Sequence, residues 1–78
     1  MYKYSIEKEN NFHNEVGKYT SYGIKIIFVN KNISKNIGYI PDVFIDEKVA
    51  YNFINRCNKN ELEPVHIYDA IKDALLNT

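Results

Sequence analysis

The residues able to do chemistry are concentrated in one stretch, CNKNELEPVHIYDAIKDALL, from Cys57 to Leu76. Cys57, His66, Asp69 and Asp73 are the residue types from which thiol nucleophiles and metal centres are built. A reactive thiol needs exposure and either positive neighbours or a helix N-terminus to lower its pKa. Cys57 instead follows Val49 by eight residues and Phe53 by four. That spacing places it on the apolar stripe of a helix, near a C-terminus whose dipole opposes a thiolate. Arg56 precedes it directly and points about 100° away around such a helix. Cys57 is therefore expected as a small buried hydrophobe.

His66, Asp69 and Asp73 fall at i, i+3 and i+7, one polar line along a second helix, with Glu63 one turn earlier. A zinc centre needs at least three protein ligands. His13 would complete a set only if its own loop folded back. A solvated helix face with a His beside a carboxylate is the simpler reading, so no metal, cofactor or catalytic set is expected. The sequence holds no Gly-rich phosphate loop, CxxC or HExxH. Glu7 and Glu9, alternating with Lys8, look like a solvated strand end rather than an acid/base pair.

The elements that carry these residues follow from periodicity. Tyr2, Tyr4 and Ile6 alternate with Lys3, Ser5 and Glu7, the pattern of a half-buried strand. ENNFHNEVG reads as a polar connector with Phe12 tucked beneath it. KYTSYGIKIIFVN is β-branched and aromatic enough for a central strand. Its even positions, Tyr22, Ile24, Ile26 and Phe28, are assigned to the core. Tyr19, Ser21, Lys25, Ile27 and Val29 share the other face. Gly23 marks a bulge or a close backbone approach. NKNISKN is a polar turn, and IGYIPDVF returns as a strand that lies at an edge or ends near Pro41.

Asp46 then suits an N-cap, and Glu47 the positive end of a helix dipole. Val49, Ala50, Phe53, Ile54 and Cys57 make the first apolar stripe. Asn58, Lys59 and Asn60 end that helix, and Pro64 opens a second with Ile67, Tyr68, Ile71, Ala74 and Leu75 as its stripe. The order β-β-β-α-α predicts an α+β fold over residues 1–78. A three-stranded antiparallel β-meander is followed by two α-helices packed on one face.

Composition narrows the function. With 45% hydrophobic and 26% charged residues the chain is globular rather than disordered. Ten basic groups balance ten acidic ones, so the basic surplus of a general nucleic-acid binder is missing. A lone Cys cannot make an internal disulfide, which fits a reducing, cytoplasmic setting. MYKYSIEKEN resembles no signal peptide, and the apolar run Ile26–Val29 is far too short to span a bilayer. The richness in Asn, Lys, Ile and Tyr reads as the bias of an AT-rich genome.

Three segments carry a family resemblance: GKYTSYGI at 17–24, YIPDVFIDEK at 39–48 and CNKNELEPVHIYDAI at 57–71. They resemble a family of short clostridial-type bacterial proteins classed as a domain of unknown function. The resemblance covers most of the chain. Its most specific piece is the Leu-x-Pro-Val-His-x-Tyr-Asp segment, Leu62 to Asp69, in which Leu is expected where this chain has Ile67. It implies one small domain and transfers no activity or cofactor.

The function expected is a non-enzymatic module, regulatory or adaptor, that binds a protein partner or itself. Tyr19, Lys25, Ile27 and Val29 on the free sheet face are the first candidate surface, and the His66, Asp69 and Asp73 helix face the second. The alternative is a nucleic-acid-associated regulator using Lys18, Lys25, Lys31 and Lys35.

Overall fold

A computed structural model describes residues 1–77. Three antiparallel strands, β1 (Tyr2–His13), β2 (Gly17–Asn30) and β3 (Ile33–Phe44), form a sheet in the order β1-β2-β3. Helix α1 (Glu47–Lys59), a 3-10 turn (Pro64–His66) and helix α2 (Ile67–Leu76) follow. The expected β-β-β-α-α meander is the observed fold.

Each connection has a local cause. Between β1 and β2 three residues turn the chain, and Gly17 follows at φ 85, a left-handed position that glycine adopts without a Cβ penalty. Between β2 and β3 the turn is two residues, with the Asn30 side chain accepting from the Lys31 amide at 2.8 Å. Asp46 caps α1 by accepting from the Lys48 and Val49 amides at 2.8 and 3.2 Å. Past Asn60, Glu61 turns left-handed at φ 52. Its amide donates to Asn58 and the Leu62 amide to Cys57, the paired bonds of a Schellman motif.

Even-numbered residues of β2 face the helices. Tyr4, Tyr22, Ile24, Ile26 and Phe44 of the sheet bury against Ala50, Phe53, Ile54 and Cys57 of α1 and Ile67, Ile71 and Ala74 of α2. The Phe44 and Phe53 rings meet at 5.2 Å between centroids, tilted by 54°. Four residues expected on the inward faces differ. Tyr68 is 70% exposed and Val49 is only partly buried. Phe28 is only half-buried, at the end of the sheet, where its ring meets the edge of Tyr2. Leu75 is 48% exposed, while Ala74, expected on the same stripe, is buried.

The expected connector ENNFHNEVG is mostly strand: β1 continues to His13, paired with Gly17. Phe12 is 70% exposed rather than tucked beneath a loop. The β2–β3 pairing begins only at Tyr22, so residues 10–13 and 17–21 run on as a two-stranded ribbon. That ribbon contributes no core apolar residue, and Phe12 has nothing to cover it. β3 is an edge strand as expected, yet it continues through Pro41 to Phe44 by absorbing two register shifts.

Candidate functional site

The face of the sheet away from the helices carries the first set of candidate residues. β1 contributes Lys3, Ser5, Glu7, Glu9 and Asn11. β2 contributes Tyr19, Ser21, Gly23, Lys25, Ile27 and Val29, and β3 adds Ser34, Asn36 and Tyr39. Alternation along each strand puts them on one side.

One half of this face is a connected polar system. Lys25 Nζ lies 3.2 Å from Glu7 Oε2. Glu9 Oε1 accepts from the Asp42 amide at 2.8 Å, and the Tyr39 hydroxyl also bonds to Glu9. The Tyr19 hydroxyl donates to Asp42 Oδ2 at 3.1 Å. Asn11 Nδ2 donates to Ser21 Oγ at 2.7 Å, which satisfies a hydroxyl that is fully buried on this face. Glu7 is exposed, as a solvated strand end should be, and pairs with Lys25, whereas Glu9 is half-buried and bonds from β1 to residues of β3.

Gly23 makes this arrangement possible. Tyr39, opposite Lys25, lays its ring across the β2 backbone at Gly23 to reach Glu9 on β1. A Cβ at Gly23 would collide with that ring and stand 2.8 Å from the Ile40 carbonyl oxygen. Both sequence expectations for Gly23 hold: a close approach, and a register shift between Tyr22 and Ile24. Asp42 then adopts φ 53, a left-handed conformation that Asp tolerates better than most residues.

The phenols on this face act as donors. Burial and the bond to Glu9 push Tyr39 up to about 12, and the bond to Asp42 raises Tyr19. Both stay protonated at neutral pH. The other half of the face is apolar: Ile27 and Val29 are half-buried, with Lys3 and Asn36 on either side of Ile27 and Ser34 beside Val29. Tyr19 lies at the opposite end of the face from Ile27. The structure thus places Tyr19, Lys25, Ile27 and Val29 on one surface, while the apolar patch itself is confined to Ile27 and Val29.

His66, Asp69 and Asp73 are on the helix layer, all exposed. His66 is the last residue of the 3-10 turn and the N-cap position of α2, so it is not part of a continuous helical line with the two aspartates. Pro64 opens the segment as a tighter turn, and α2 begins only at Ile67. His13 accepts from the Glu15 amide in its own turn at 3.2 Å. Among the described residues no group of three or more His, Cys, Asp or Glu side chains is placed to hold a metal ion.

Cys57 is 5% exposed, and burial pushes its thiol up to about 11, with Arg56 opposing the shift. It forms part of the floor of a cleft of about 330 Å³ between α1 and α2, with Phe53, Leu62 and Ala74. Sequence reasoning missed the role of Asn58. Its amide accepts from the Tyr4 backbone N–H at 2.8 Å and donates to the Tyr4 carbonyl at 2.9 Å, tying the end of α1 to the outer edge of β1. An Asn at a helix end is the only local signal for this, and the partner is 54 residues away.

The protein is thus a small α+β fold: one sheet face closed by helices, the other open and bearing an ordered polar and apolar surface. The chain belongs to the family of unknown function DUF6514, whose model matches residues 1–77. No curated protein and no solved structure matches it.

Proposed function

We propose that this protein is a non-enzymatic interaction module, regulatory or adaptor in role, that binds protein through the open face of its sheet. The observation that supports this most is the contrast between the two faces. The helices cover one, whereas the other presents Ile27 and Val29 beside a polar system whose donors and acceptors are already paired. Such a face loses few hydrogen bonds when another surface covers it, and its apolar end gains from being covered. The four lysines of the nucleic-acid alternative are dispersed. Lys25 is on the open face and paired to Glu7, Lys18 and Lys35 alternate to the helix side, and Lys31 is in a turn. These four lysines do not line up as one stripe.

A cytoplasmic location and a clostridial-type bacterial origin belong to the same proposal. The lone free Cys57 and the Asn-, Lys-, Ile- and Tyr-rich composition support them. Among the described residues no helix is long and apolar enough to cross a membrane.

The test is affinity capture from a native lysate with the wild-type chain and an Ile27→Asp variant as baits, beside thermal melts of both. Ile27 is not in the core, so the variant is expected to melt within a few degrees of wild type and to lose the captured protein. Equal capture by a folded Ile27→Asp chain would remove the open face as the binding surface.

A further inference from the structure

We infer that the open face is self-complementary and that its partner is a second copy of this chain, packed face to face across a two-fold axis with the strands antiparallel. This rests on the open face being the binding surface and names what covers it.

Two independent observations carry the inference. The first is surface area. A monomeric globular protein of 9.2 kDa exposes roughly 4,900 Å². This chain exposes 5903 Å², about 1,000 Å² more than the size rule gives. Its radius of gyration is 13.3 Å, against roughly 11.5 Å for a compact chain of 78 residues. Part of that excess is the outer ribbon, which is open on both sides, and the whole is of the order that each partner buries in an interface of standard size, about 800 Å².

The second is the charge pattern along the face. Lys3 and the apolar pair Ile27 and Val29 occupy one end; Glu9, Asp42 and Tyr19 occupy the other. Ile6 and Ile24 are register partners near the middle. A two-fold axis lying between the sheets and crossing the strands at that pair reverses each strand over its own copy. It places Lys3 over Glu9 of the partner subunit, three residues either side of Ile6. It places Ile27 toward the Ser21 end of the face, where Ser21 itself is buried beneath its neighbours, and Val29 over Tyr19 of the partner subunit, three and five residues either side of Ile24. Opposite charges meet, and the aliphatic end meets a phenol ring. An axis along the strands would instead set Lys3 ends together and Glu9 ends together, with like charges adjacent. Lys25 falls next to the axis, and its Glu7 partner at 3.2 Å keeps two bare ammonium groups from being brought together. Isologous two-fold pairing of this kind is the commonest way for one surface to be its own partner.

The test is sedimentation equilibrium over a wide concentration range, combined with disulfide trapping. The wild-type chain is expected to move from 9.2 kDa toward twice that mass as concentration rises. Lys3→Glu, at an exposed position, is expected to weaken association on the order of tenfold at low salt, with the melt unchanged. A Val29→Cys chain mixed with a Tyr19→Cys chain is expected to form a disulfide-linked heterodimer, and Val29→Cys alone is not. Efficient trapping of Val29→Cys with itself would overturn the antiparallel arrangement. A wild-type chain that stays monomeric at every concentration would overturn the second-copy inference; the capture experiment with Ile27→Asp would then decide separately whether the face binds another protein. A folded Ile27→Asp chain that still dimerises would overturn both.

Discussion

The Asn58 side-chain amide pairs with both backbone groups of Tyr4, at 2.8 and 2.9 Å, as a neighbouring strand would. β1 is an edge strand, and such an edge presents unpaired N–H and C=O groups to any passing chain. The end of α1 therefore closes the edge at Tyr4, and the Tyr4 hydroxyl adds a bond to the Leu62 carbonyl just beyond the helix. Asn58→Leu removes the donor and the acceptor together and leaves two part-buried backbone groups without partners. The expected loss is about 1–3 kcal/mol, read as a lower urea midpoint with unchanged slope. An unchanged midpoint would mean that water replaces the amide at no cost.

Glu61 holds a position that glycine usually fills. It is the left-handed residue of the Schellman motif, at φ 52, and a Cβ is disfavoured there. Its side chain is exposed. Glu61→Gly is therefore expected to raise stability by up to about 1 kcal/mol, despite glycine's greater freedom in the unfolded chain. A drop in the midpoint of the same size would show that the unfolded-state term dominates.

Gly23→Ala is expected to be costly because the new methyl meets two obstacles. The Tyr39 ring can swing away, but the Ile40 carbonyl 2.8 Å from the ideal Cβ position is backbone. A loss of more than about 2 kcal/mol is expected, by analogy with overpacked sites. Adding Tyr39→Ala should recover only part of it. Full recovery would assign the whole effect to the ring and none to the β3 backbone.

The reach of sequence reading differs between these positions. The strands and helices were legible because their apolar residues repeat with periods of two and of three to four, and that period sets which face is buried. Gly23 was legible because a glycine weakens the interior of a strong strand unless a bulge or a close backbone approach requires it. The outer ribbon was not: Asn10 to His13 has no helix above it, so no alternation is imposed, and a strand there reads as a connector. The Glu9, Tyr39 and Asp42 system and the Asn58 clamp join residues from different elements, and nothing local marks such pairs. Leu75 has the apolar type and near-stripe spacing of a core residue, but the buried line of α2 narrows to Ile67, Ile71 and Ala74.

The difference between a core position and an exposed one can be measured. Phe53 is 3% exposed and packs on Phe44. Phe53→Ala should cost on the order of 3–5 kcal/mol, a large share of the stability of so small a fold. Leu75→Ala should cost under about 1 kcal/mol, the range of surface substitutions. Equal losses in a denaturant titration would return Leu75 to the core.

Alkaline pH should unfold the protein before strand or helix chemistry would require it. Tyr4 is buried among the sheet and both helices, and that burial, with the neighbouring Cys57 adding to it, pushes its phenol up to about 12. Burial likewise pushes the Cys57 thiol up to about 11. In the unfolded chain these groups ionise near their ordinary values, 10.0 and 9.0. The folded state therefore holds protons that the unfolded state has already released. By linkage, the stability this contributes is fully present below pH 9 and is lost as pH rises through 9 to 12. Urea midpoints should be flat from pH 7 to 9 and fall steeply above. Tyr4→Phe removes one such group, while Cys57 and the Tyr39 phenol, also pushed up to about 12, remain, and it leaves the Leu62 carbonyl without its donor. It should start lower at pH 8 and fall less between pH 9 and 12 than wild type. Parallel curves for the two chains would show that Tyr4 ionises in place without opening the fold.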